Sequence, residues 1–257
     1  MSEDGIIFNG KPLKIKKKGV FHPVDVELKQ VDGVNTLEVS AKINFVETLL
    51  TSEAPPAEWK EVVLNGIRDW GGNYKVFGDQ KLLVKMNVEE TESLIDSVFI
   101  ICIDHVYSEK LSKLYEKTNF KKTEIFLSQG RSFATIGFAG LNWKSFLPRF
   151  VYLLDKTLNN YVIARRTARH EFGHVLGLGD LYKDLSVGLP GVDGLEYKDI
   201  EPYYRGGNFY NMVMCNNGPV RDNDIEMVLL AFQTNQYQNY QKNKKRDKIS
   251  KALGTGN

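Results

Sequence analysis

One stretch of this chain, R-R-T-A-R-H-E-F-G-H-V-L-G-L-G-D-L-Y at residues 165–182, limits its fold more than any other. An α-helix turns about 100° per residue, so positions i and i+4 stack on one face. His170 and His174, two of only four histidines in the sequence, are therefore aimed the same way, with Glu171 beside them. The helix runs from about Asn159 to Leu176. It has to stop at Gly177 if the chain is to swing back, and glycine tolerates the left-handed backbone that such a stop needs. Asp180 follows three residues later.

These residue types suit a metal ion that activates water. Zinc on three protein ligands keeps a fourth position for water and lowers that water's pKa toward neutrality. A carboxylate next to it can take the proton and pass it to a leaving amine. His170 and His174 are the candidate metal ligands and Glu171 the candidate general base, as in His-Glu-x-x-His. Asp180 can close the third ligand position, and Asp184 and Glu226 are its substitutes. Glu226 would imply another layout, with a glutamate on a later helix completing the site, and would leave Gly177 unexplained. The bland alternative is a pair of core or surface histidines, with Asp180 as a turn former.

The full spelling, H-E-x-x-H-x-x-G-x-x-D, resembles the metzincin clan of zinc peptidases, in the snapalysin-like variant whose third ligand is aspartate. The resemblance implies an α+β, zincin-like fold. A mixed, mostly parallel twisted sheet would pack on a long N-terminal helix and an active-site helix, with a loop-rich C-terminal subdomain ending in a helix. It implies one catalytic Zn²⁺ on His170, His174 and Asp180, and a methionine in a turn beneath the metal. Met214 in "NFYNMVMCNNGP" fits that turn best, with Met212 as the alternative. It also implies an edge strand that pairs with extended substrate, here around Ala134, Thr135, Ile136 and Gly137. Some relatives carry a tyrosine two residues after the turn methionine; here that position is Asn216, or Met214 if Met212 is the turn residue. Oxyanion stabilisation then falls to Tyr203, Tyr204 or Tyr210.

The rest of the sequence supplies a body for this helix. Apolar and polar residues alternate on both sides of Asp32-Gly33, a hairpin signal. Val24, Val26 and Leu28 share a face in one arm, and Leu37, Val39, Ala41, Ile43 and Phe45 do so in the other. A helix covers Trp59–Trp70 and ends at Gly-Gly. Residues 81–88, 97–106, 123–129, 132–140 and 149–155 read as strands, and "DNDIEMVLLAF" as a helix with an acidic start. Residues 183–208 form a Gly- and Pro-rich loop too long for a connector; structural Ca²⁺ at Asp184, Asp193 and Asp199 is a weak further reading. The expected division is an N-terminal hairpin extension (1–35), a metzincin-like domain (36–235) and a polar, basic, flexible tail (236–257).

Composition excludes several classes. With 257 residues, 42% hydrophobic and 26% charged, the chain can build a sizeable core. A net charge of +2 does not argue for nucleic acid. No apolar run of about 18 residues is present to span a bilayer, and the start lacks the order of a secretory signal. The chain is expected to be cytoplasmic or exported by a signal-independent route. Cys102 and Cys215 build no disulfide framework. The expected activity is a zinc endopeptidase acting on a protein or peptide, including the reading of a signal-less effector or toxin. The competing class is a zinc-binding scaffold or binding module without turnover. Arg165, Arg166 and Arg169 read as a solvated helix face leaning toward the cleft.

Overall fold

The computed structural model describes residues 5–17, 24–46, 56–94, 97–103, 133–136, 149–179, 213–235 and 238. The longest strand organises the sheet. Strand β4 (Asp25–Val31) turns through Asp32 (φ 50°) and Gly33 (φ 78°) into β5 (Val34–Val46), in register from Val31↔Val34 to Asp25↔Ser40. Two successive positive φ angles are what a type I′ turn requires, and its twist matches that of the strands it joins. Alternation then places Leu37, Val39, Ala41 and Ile43 in the core. Full burial of Leu37, Val39 or Ile43 contributes about 1.5–3 kcal/mol each relative to exposure, and the smaller Ala41 less.

Thirteen residues make β5 long enough to carry three partners. Thr36 to Ser40 pair both with β4 and, in parallel, with β7 (Gln80–Glu90), so these two occupy opposite edges. Lys42 and Ile43 pair with β7 and with β8 (Ser97–Ile103), so β8 follows β4 along the same edge. The path continues through β10 (Arg149–Leu154), parallel to β8, to β9 (Phe133–Ile136), antiparallel at the end. On the far side β6 (Gly72–Val76) pairs antiparallel with β7. The sheet is mixed. The expectation of a mostly parallel sheet is corrected: the pairings β5–β7, β5–β8 and β8–β10 are parallel, whereas those that close its outer parts are antiparallel. The cause is local, because hairpins at both margins fold back on the parallel centre.

The N-terminal segment belongs to this body. β1 (Ile7–Phe8) and β2 (Lys11–Pro12) form a small ribbon, and β3 (Lys16–Lys17) adds to β4. Ile6, Leu13 and Ile15 are buried in the same core as Leu37 and Phe232. The Ile7 N–H donates to Gln80 Oε1 (2.6 Å), and Gln80 Nε2 donates to the Ile7 carbonyl (2.7 Å). A boundary at residue 35 would therefore cut β5 one residue after its start.

Among the described residues, three longer helices and two single turns complete the α+β architecture. Helix α1 (Trp59–Arg68) buries Trp59, Val63, Leu64 and Ile67. The four-residue α2 (Asp155–Leu158) leads into α3 (Tyr161–Val175), the motif helix. Gly66 lets α1 and α3 approach closely, since a Cβ there would run into the Arg165 carbonyl oxygen and lie 3.0 Å from Ala168 Cβ. The single turn α4 (Val213–Asn216) precedes α5 (Asp222–Thr234). Among the described residues no helix is long and apolar enough to cross a membrane.

Candidate metal centre

Helix α3 is held at both ends. At its start the Asn160 side chain accepts hydrogen bonds from the backbone N–H groups of Val162 and Ile163, both at 3.1 Å, which satisfies two otherwise orphaned donors. At its end Gly177 adopts φ 92°. The Gly177 N–H bonds to the His174 carbonyl (3.0 Å) and the Leu178 N–H to the Gly173 carbonyl (3.0 Å), the paired pattern of a Schellman turn. The stop expected at Gly177 is thus in place.

The last turns of α3 are sunk in the body. His170 is 3% exposed, Glu171 4% and His174 9%. Buried imidazoles need partners, and each histidine has a backbone carbonyl on the same ring atom. His170 Nδ1 lies 2.7 Å from the Val213 oxygen, and His174 Nδ1 lies 2.7 Å from the Leu178 oxygen. A carbonyl can only accept, so each Nδ1 donates, and in the neutral form of either ring the lone pair then lies on Nε2. Outer partners of this kind fix tautomer and ring orientation in metal-ligating histidines. The rings stand nearly perpendicular (87°) with centroids 5.1 Å apart. Glu171 Oε2 lies 4.0 Å from His174 Nε2, too long for a hydrogen bond. One ligand-capable atom from each of His170, Glu171 and His174 falls within 4.8 Å of the others, so the group can hold a metal ion.

Gly173, between the two histidines in sequence, packs on apolar side chains. Met214 is fully buried on α4, and a Cβ on Gly173 would collide with its Sδ. The same Cβ would lie 2.9 Å from Trp70 Cζ2. Trp70, also fully buried, donates its Nε1–H to the Arg169 carbonyl (2.9 Å). The turn α4 thereby supplies two things at once: the Val213 carbonyl for His170 and the Met214 side chain under Gly173.

The arginines divide. Arg165 binds Asp69 through Nε (2.9 Å) and Nη2 (2.5 Å), with its side chain half exposed. Arg169 departs from the solvated face expected of it: its side chain is 12% exposed. It donates to Asp69 Oδ2 (3.2 Å) and to the Asn217 carbonyl (2.7 Å). Burial pulls its pKa down, with Asp69 opposing. The turn after α3 is held from another direction. Gly179 N–H donates to the Gln238 carbonyl (2.8 Å), and Gln238 N–H donates to the Gly177 carbonyl (2.7 Å). Gln238 is buried, although its surroundings in sequence read as a frayed tail.

Glu226, the substitute third ligand on a later helix, accepts instead from the Phe77 N–H and is not part of the cluster. β9 places the backbone of Ala134, Thr135 and Ile136 at the end of the sheet path. Asp180, Asp184, Asp193, Asp199, Met212, Gly137, Tyr203, Tyr204 and Tyr210 lie outside the described residues. The Val213 and Leu178 carbonyls, Asp69 and the role of Trp70 are not legible in the sequence. A backbone acceptor has no residue-type signature, and in sequence Trp70 reads as one more apolar position of the expected 59–70 helix. Comparison of the chain with protein-family models, curated proteins and solved structures finds no match.

Proposed function

We propose that this chain is a zinc-dependent endopeptidase of metzincin type, with Glu171 as general base and then general acid. The observation that carries the reading is the shared Nδ1-to-carbonyl arrangement, which presents two Nε2 lone pairs beside a buried carboxylate. Two imidazole nitrogens with a carboxylate oxygen close by are a donor set that Zn²⁺ accepts. His170 and His174 would hold the ion, with Asp180 as the third ligand. When bound, the ion supplies a Lewis acid that polarises the scissile carbonyl and makes water acidic near neutral pH.

The remaining work falls to the chain itself. Glu171 accepts a proton at its carboxylate and returns it to the leaving amine, closing the proton cycle. The Val213 and Leu178 carbonyls keep both rings in one tautomer, so no reorientation is needed on binding. Met214 and Trp70, buried against Gly173, would keep water from that side of the motif helix. Extended substrate would pair with β9 by adding a strand at the sheet margin.

Glu171→Ala should retain one zinc per chain while losing peptide cleavage by at least about 100-fold, in the range expected for a general base. Mass spectrometry of a diverse peptide mixture reads out the cleavage. Undiminished cleavage by that variant refutes the role of Glu171. A wild-type protein that enriches peptides without shortening them is instead a zinc-dependent binding module.

A further inference from the structure

We infer that Arg169, gripped by Asp69, is a positioning residue for His170: it fixes the turn whose carbonyl sets that histidine's tautomer. The inference rests on the metal-site reading above and extends it one layer outward.

Three hydrogen bonds make a continuous strut. Asp69, at the C-terminal end of α1, accepts from Arg169 Nη1 (3.2 Å). Arg169 Nη2 reaches the Asn217 carbonyl (2.7 Å), one residue past α4. The first residue of α4, Val213, gives its carbonyl to His170 Nδ1 (2.7 Å). Asn217 sits at φ 54°, a left-handed conformation uncommon for a non-glycine residue, so the turn's end is well defined locally. Its Nδ2 also approaches Thr167 Oγ1 (3.5 Å).

Physical chemistry favours a strut over a generic ion pair. Removing a guanidinium from water is costly, and one carboxylate already shared with Arg165 offsets only part of that. The planar fork of arginine can bridge two acceptors in different directions, which a lysine ammonium on a flexible stem does poorly. The backbone of Arg169 is pinned as well, through its carbonyl and Trp70 Nε1 (2.9 Å). Arg169 is thus fixed at both ends and stands immediately before the first motif histidine. His174 has no share in the strut, because its carbonyl partner, Leu178, lies in the turn after α3. That difference makes the inference testable within one molecule.

The test uses the full chain with ¹⁵N-labelled histidine, metal-free and then titrated with Zn²⁺ against a chromophoric chelator. In the metal-free wild type, long-range ¹H–¹⁵N spectra should show His170 and His174 protonated at Nδ1. Arg169→Met should leave His174 unchanged and shift His170 to a mixture of tautomers. Its zinc affinity should fall by roughly tenfold or more, as for loss of an orienting partner. Arg165→Met, which removes the other Asp69 partner but does not touch Asn217, should match wild type in both readouts. Arg169→Lys keeps a cation beside Asp69 and serves if the methionine variant does not fold; His170 should again change alone. An unchanged His170 signal, or equal changes at both histidines, overturns the inference. Failure of the wild type to take up zinc would remove the metal reading, while the metal-free spectra would still decide whether Arg169 positions His170.

Discussion

Gly173 lies between Glu171 and His174 and faces Met214 and Trp70, so two effects compete there. Glycine in a helix interior costs about 1 kcal/mol relative to alanine, and by propensity alone Gly173→Ala should stabilise. The added Cβ, however, would lie 2.9 Å from the Trp70 ring and collide with Met214 Sδ. Overpacking of this kind typically costs about 1–3 kcal/mol. The steric effect should win, because both neighbours are fully buried and have little room to move. Gly173→Ala is therefore expected to lower the urea midpoint at unchanged slope; a rise would show that Met214 and Trp70 yield freely. Residues were legible in sequence where backbone conformation constrains residue type. Gly177 was readable because a left-handed stop selects glycine. Arg169 was not, because a helical wheel gives its direction but not the presence of Asp69 and Asn217 in that direction.

Between elements, the bridge from Gln238 to the turn after α3 has the clearest consequence. Its two backbone hydrogen bonds flank Leu178, whose carbonyl orients His174. Gln238→Pro removes the N–H that serves the Gly177 carbonyl. Leaving a buried acceptor unsatisfied costs about 1–3 kcal/mol, so the variant should lose stability by that order and its Gly179 amide should exchange faster. Gln238→Ala, which keeps both backbone hydrogen bonds and loses the side-chain contact to Thr234 (3.2 Å), should show little of either. Equal protection of Gly179 in wild type and the proline variant would argue against the bridge. Composition concealed this element, since Gln, Asn and Lys around position 238 look like a solvated terminus. The β4–β5 hairpin was legible for the opposite reason: Asp32-Gly33 states its turn type and alternation states its faces. β6 is not legible because "GNYKV" begins on the second glycine of the Gly71-Gly72 helix stop and buries only Val76. The parallel centre of the sheet left no local signal at all, since partners such as Thr36 and Leu83 meet only through the fold.

For the molecule as a whole, the site is built where one core meets several distant segments. The turn that ends α1 contributes Asp69 and Trp70, α3 contributes the histidines, α4 the Val213 carbonyl and Met214, and the segment beyond α5 contributes Gln238. An ion bound at such a junction stabilises all of them together. Zinc at about 100 times its dissociation constant should add about 2.7 kcal/mol to the free energy of unfolding. Thermal melts should rise with added zinc and fall back with a chelator, and His174→Ala should abolish the response. The most direct measurement is anomalous diffraction at the zinc edge from crystals grown with one equivalent of the metal. A single strong peak is expected at about 2.0–2.1 Å from Nε2 of both His170 and His174, with their Nδ1 atoms still on Val213 and Leu178. No peak at that position, or an ion held through Nδ1, would contradict it.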